Sequence, residues 1–128
     1  DGVKVGCAIC YDIRFPDLFW ELRARGAELI FLPSAFTLAT GKDHWETLLK
    51  ARAIETQCWF AAPATWGKHL EGKGAERFTY GHSLVVDPWG HVTAKVPDGV
   101  GWATARLDPK VTARVRRDMP VLEHRKRM

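Results

Sequence analysis

Apolar residues fill nearly every position from Val3 to Ile9, the pattern of a central strand buried on both faces. Pro16 at a helix start, Asp17 in its first turn and Gly26 just past its end bracket a helix carrying Leu18, Phe19 and Leu22. Glu28 to Pro33 reads as the next strand, stopped by its proline. Strand, helix and strand in so short a stretch make a βαβ unit, with the right-handed crossover such units take. Ser34 to Lys42 is expected to be a loop at the end of the second strand, on the same sheet edge as Cys10. Asp43 is placed to cap the following helix, and Glu46 completes a capping-box pair. That helix runs to Gln57. Trp45, Leu48, Leu49 and Ala53 form its apolar stripe, and Ala51, Ile54 and Cys58 widen it. Cys58 to Pro63 then returns as a strand.

Trp66 to Thr79 changes character. Its glycines and alternating Lys and Glu predict an exposed, mobile loop. Short strands are expected at His82–Val86, His91–Val96 and Val100–Leu107, separated by turns at Asp87–Gly90 and Pro97–Gly99. Asp108-Pro109 reads as an N-cap followed by proline at the first helical position, opening a short helix to Arg117. No repeat or low-complexity linker interrupts the chain, so residues 1–128 read as a single α/β domain.

Composition narrows the function classes. The 128 residues are 46% hydrophobic, enough to fill one core. No apolar run reaches the roughly 20 residues of a membrane span. The chain opens Asp1-Gly2 and passes at once into strand-like sequence, so the front of a larger domain is expected to be missing. Three cysteines, odd in number and set in apolar surroundings, suit a reducing cytoplasm better than a disulfide scaffold. The net charge of +4 is concentrated from Arg106 to Met128, with eight Lys/Arg against three acids. No aromatic stacking platform, zinc spacing or recognition helix accompanies this tail, which argues against nucleic acid as a partner.

The chemistry centres on Gly6 to Pro16 (GCAICYDIRFP). A thiol at the carboxyl end of a strand, just before a helix, sits where open α/β sheets place reactive groups. The N–H groups of the turn behind it can receive an oxyanion. Cys7 and Cys10 form a C-x-x-C string, but residues three apart on a strand face opposite sides. This argues against a redox pair, and Cys7 reads as a small core residue. Asp12 and Arg14 follow Cys10 closely, and a guanidinium there can fork onto a substrate carboxylate. His44 and His82 are the in-chain histidines available to a Cys–His pair, although no spacing links either to Cys10.

GCAICYDIRFPDL, LPSAFTLATGKDHWETLLKARAIETQCWFAAPA and YGHSLVVDPWG, in that order, resemble the carboxyl-terminal half of the nitrilase (carbon–nitrogen hydrolase) superfamily. The resemblance is to its Nit branch, which includes the Nit part of NitFhit and the deaminated glutathione amidases. It implies the carboxyl-terminal part of an αββα sandwich, incomplete at the amino end, with residues 1–128 a partial domain. It also implies a Glu–Lys–Cys triad. The cysteine maps to Cys10 and the second oxyanion donor to the backbone N–H of Tyr11, while the Glu and Lys lie upstream of this chain. Glu46 and Lys50 do not take those roles, since an i,i+4 surface pair explains them.

By the same resemblance Arg14 holds a substrate carboxylate, Phe36 and Thr40 line that pocket, and Tyr80 stands at its rim. The implied reaction is hydrolysis of a linear amide of a small carboxylate-bearing molecule through a cysteine thioester, releasing ammonia. The deaminated glutathione type comes first and ω-amidase activity next. Neither metal nor organic cofactor is implied. A homodimer is implied, with the Asp43–Gln57 helix meeting a second subunit. The alternative is an inert fragment or pseudoenzyme that dimerises and binds an acid without turnover. Without the Glu and Lys, the 128-residue piece alone is expected to be inactive.

Overall fold

The computed structural model describes residues 2–69 and 76–126. Five strands form one sheet: β1 (Val5–Cys7), β2 (Leu29–Phe31), β3 (Trp59–Ala62), β6 (Leu84–Val86) and β7 (Val92–Lys95), in the order β1-β2-β3-β6-β7. The first three run parallel, and β6 and β7 continue antiparallel. Helix α1 (Pro16–Ala24) makes the first crossover. The second is a helical run composed of α2 (Leu38–Thr40), a π turn (Gly41–Trp45) and α3 (Glu46–Thr56). Strands β4 (Trp66–His69) and β5 (Arg77–Tyr80) pair as a separate antiparallel hairpin, and α4 (Pro109–Asp118) and α5 (Val121–His124) close the described chain.

One cross-strand row explains the core. Gly6, Ile30, Phe60 and Val86 are register partners from β1 to β6, and all four are buried. Phe19 of α1 meets Phe60 at 5.7 Å between ring centroids, while Trp45, Leu49 and Ala53 bring the stripe of the second helix onto the same core. Gly6 fits because a Cβ there would stand 3.2 Å from Leu22 of α1. On the opposite face the Trp59 indole N–H donates to Thr112 of α4 at 3.0 Å. Asp108 caps α4 by accepting from the Lys110 N–H at 2.9 Å, with Pro109 at the first helical position, as the sequence predicts.

Several expectations change. β1 is an edge strand and alternates: Gly6 and Ala8 are buried, while Val3, Val5, Cys7 and Ile9 are exposed. Helices cover only one of its faces, so Cys7 is not a core residue. Leu18 and Ile54 also face outward. The second helix begins five residues before Asp43, at Leu38, capped by Thr37, whose Oγ1 accepts from the Thr40 N–H at 3.5 Å. Asp43 lies inside the π turn and pairs with Lys42 instead of capping. The expected mobile loop over 66–79 contains the β4–β5 hairpin, and its residues 70–75 lie outside the described ones. Val100–Leu107 forms no strand, and Val100 and Trp102 are 103% and 84% exposed. Trp45, Leu49 and Ala53 of the second helix are fully buried within the chain.

Glu46 is tied on both sides, accepting from Lys50 one turn on and from Lys95 of β7, each at 2.7 Å. These two ammonium groups draw its carboxyl from an ordinary 4.5 down to about 2. The stability it supplies is therefore complete above the unfolded carboxyl's pKa and lost as pH falls through 4.5 towards 2. Glu46→Gln in the full-length protein is expected to cost about 0.5–1 kcal/mol at pH 7, because solvent screens so exposed a pair. Urea unfolding at pH 7 and pH 2 checks this: the two proteins should differ at the first pH and converge at the second.

Candidate active site

Cys10 leaves the end of the β1 segment with φ +44, a left-handed conformation that disfavours any residue with a Cβ. The surrounding bonds impose it. The Cys10 N–H donates to the Pro33 carbonyl at 2.9 Å, tying the turn to the end of the β2 segment. Ile9 and Asp12 clamp each other across the turn: the Ile9 N–H donates to Asp12 Oδ2 at 2.8 Å and the Asp12 N–H to the Ile9 carbonyl at 2.9 Å. The result is one 3₁₀ turn, Cys10–Arg14. From behind, buried Arg52 of α3 donates Nε–H to the Ile13 carbonyl at 2.8 Å. The Arg52 guanidinium is itself held by Glu55 at 2.9 Å and lies over the Phe19 ring. The core thus fixes the turn while the thiol stays half-buried.

The three thiols have different surroundings. Cys58 is fully buried, and burial pushes its thiol pKa up. Cys7 lies exposed on the uncovered face of β1, and all three are free. Only Cys10 combines partial exposure with a place in the 3₁₀ turn. The Tyr11 N–H finds no carbonyl acceptor among the described residues.

Four residues placed by the sequence come together here. The Arg14 guanidinium lies 5.6 Å from the Tyr11 ring centre and 5.4 Å from that of Phe36. Its remaining contact is with His44, whose Nδ1 stands 3.4 Å from Arg14 Nη1. Among the described residues no carboxylate pairs with Arg14. Phe36 is buried against Trp45, with ring centres 4.9 Å apart, and its carbonyl accepts from the Tyr80 N–H at 2.9 Å. The Tyr80 ring stacks on His82 at 4.0 Å, over Gly41, where a Cβ would have no room. Thr40 is on the helix, not in a loop, and its hydroxyl bonds to that of Thr37 at 2.9 Å rather than to Arg14.

Neither histidine weighed as a base for Cys10 is bonded to it. His44 belongs to Arg14. His82 adopts φ +58, donates Nδ1–H to the Tyr80 carbonyl at 2.7 Å and receives the Trp45 indole N–H on its own carbonyl at 2.8 Å. Sequence reasoning treated Trp45 as core only and passed over Gly41, yet both shape the wall around Tyr80. No sequence signal marks the π turn that places them. Among the described residues no cluster of three His, Cys, Asp or Glu is positioned for a metal, and no helix is long and apolar enough to cross a membrane.

A carbon-nitrogen hydrolase family model matches residues 1–117. Deaminated glutathione amidase of Homo sapiens is 50% identical over 123 residues, which is 96% of this chain and 36% of that protein. Among solved structures, the C. elegans NitFhit protein superposes with a TM-score of 0.89 at 50% identity, covering 95% of this chain and 29% of that one. A mutant amidase from Nesterenkonia sp. superposes with a TM-score of 0.71 at 28% identity, covering 93% of this chain and 44% of that one. That amidase carries acrylamide added to its active-site cysteine. The chain therefore spans well under half the length of these relatives, and its α/β fold matches part of theirs.

Proposed function

The chain belongs to the carbon-nitrogen hydrolase family, and from that premise we propose that it carries the nucleophile and acid-binding wall of an amidase acting on small carboxylate-bearing amides. The observation that supports this best is Arg14: a guanidinium with no carboxylate partner among the described residues, held by two aromatic rings and an imidazole, four residues beyond a strained cysteine. A cation in so apolar a frame favours an acid over its neutral isostere. Cys10 Sγ attacks the amide carbon, and the Tyr11 N–H receives the developing oxyanion. Ammonia departs to leave a thioester, and water then releases the acid and restores the thiol. The Glu and Lys implied by the family resemblance, as general base and oxyanion cation, are assigned to no residue of this chain. The similarity to deaminated glutathione amidase supports that substrate type, with short ω-amides second. The reading further includes a homodimer and a cytoplasmic setting.

Ammonia release by the full-length protein tests the proposal. With an amide bearing a free carboxylate, Arg14→Met should raise KM about 10- to 100-fold, the worth of a charged hydrogen-bonded pair. KM for the neutral isostere should not move. An equal effect on both substrates would assign Arg14 to folding and count against an acid-binding site.

A further inference from the structure

The helical run from Leu38 to Thr56 is not regular: Gly41–Trp45 is a π turn, a widening frequent at functional sites. Two consecutive residues of this turn reach the region around Arg14 from different sides. Trp45 is fully buried, packing on Phe36 and donating to the His82 carbonyl. His44 stays exposed and meets Arg14, with Nδ1 at 3.4 Å from Nη1. A guanidinium nitrogen is a donor only, so in this contact Nδ1 is the acceptor. We infer that His44 is a positioning residue for acid recognition, holding the Arg14 guanidinium in one orientation without neutralising it. A carboxylate in the same place would compete with the substrate for Arg14. With no partner there, the long side chain would lose its rotamer freedom at the moment of binding. A neutral acceptor avoids both.

This inference rests on the acid-amide reading, and its test separates the two. In the full-length protein His44→Phe keeps a ring but removes the acceptor. It should raise KM for the carboxylate-bearing amide about tenfold, the loss of one hydrogen bond to a charged group, with kcat and the neutral isostere unaffected. His44→Asn, whose side-chain oxygen can stand in for Nδ1, should recover most of that loss. A readout independent of turnover is calorimetric binding of succinate, a dicarboxylate of the kind this hydrolysis releases. Its Kd should weaken about tenfold in His44→Phe and recover in His44→Asn. If Arg14→Met weakens succinate and raises KM while His44→Phe changes neither, the positioning role is wrong and the acid-amide reading stands. If Arg14→Met changes neither, the reading fails and the role of His44 fails with it.

Discussion

Cys10→Ala in the full-length protein is expected to abolish amide hydrolysis, lowering kcat by on the order of 10⁴-fold or more, as removing one member of a catalytic unit does. It should leave the fold in place, because the Cys10 turn is held by main-chain bonds and by Arg52, none of which uses the thiol. Cys10→Gly should be equally inactive yet more stable than either protein by about 1 kcal/mol, since glycine reaches φ +44 without a Cβ penalty. Thermal unfolding of the three proteins checks the ordering. A glycine variant less stable than alanine would show that the turn stores no strain at this residue. Retained hydrolysis in Cys10→Ala would move the nucleophile elsewhere, and the alternatives are poor. Cys58 is buried with its thiol pKa raised, and Cys7 lies on the far side of β1 from the helices. The joint outcome, activity lost and stability gained, is the signature of strain held for function.

The residues that were legible in the sequence share a property: each announces itself within a few positions. Pro16 and Asp108-Pro109 mark helix starts whatever surrounds them, and Cys10 to Arg14 places thiol, turn and guanidinium in one local string. Illegible features depend on what lies across the fold. An apolar run such as Val3–Ile9 reads the same whether both faces are covered or one, and only the sheet order shows β1 to be an edge. Val100–Leu107 has strand-forming residues but joins no sheet, and propensity alone does not make one. The β4–β5 hairpin has no buried residue, so its short strands lack the apolar signal to set against the glycines and charges around them. At the site, Phe36 and Tyr80 came from family resemblance, and the structure joins them through a main-chain bond. The His44–Arg14 contact spans thirty residues and depends on a π turn, so no local pattern could have announced it.

Gly41 has φ −63 within the helical run, so backbone freedom is not why it is glycine. By helix propensity alone, Gly41→Ala should stabilise the protein by up to about 1 kcal/mol. Space reverses the sign. A Cβ at Gly41 would stand 2.2 Å from Tyr80 Cβ, 2.5 Å from its Cγ and 2.8 Å from its Cδ1. Tyr80 cannot retreat freely, because its N–H is bonded to the Phe36 carbonyl and its ring is stacked on His82. Gly41→Ala in the full-length protein is therefore expected to cost about 1–3 kcal/mol in urea unfolding, the range for overpacking a filled site. KM for the carboxylate-bearing amide should rise as the Phe36–Tyr80 wall shifts. The collision is with the Tyr80 Cβ itself, so adding Tyr80→Ala should not rescue the alanine variant, whereas Tyr80→Gly should recover part of the loss. A Gly41→Ala protein more stable than wild type would mean that propensity outweighs contact here, and that Tyr80 is not packed against the helix.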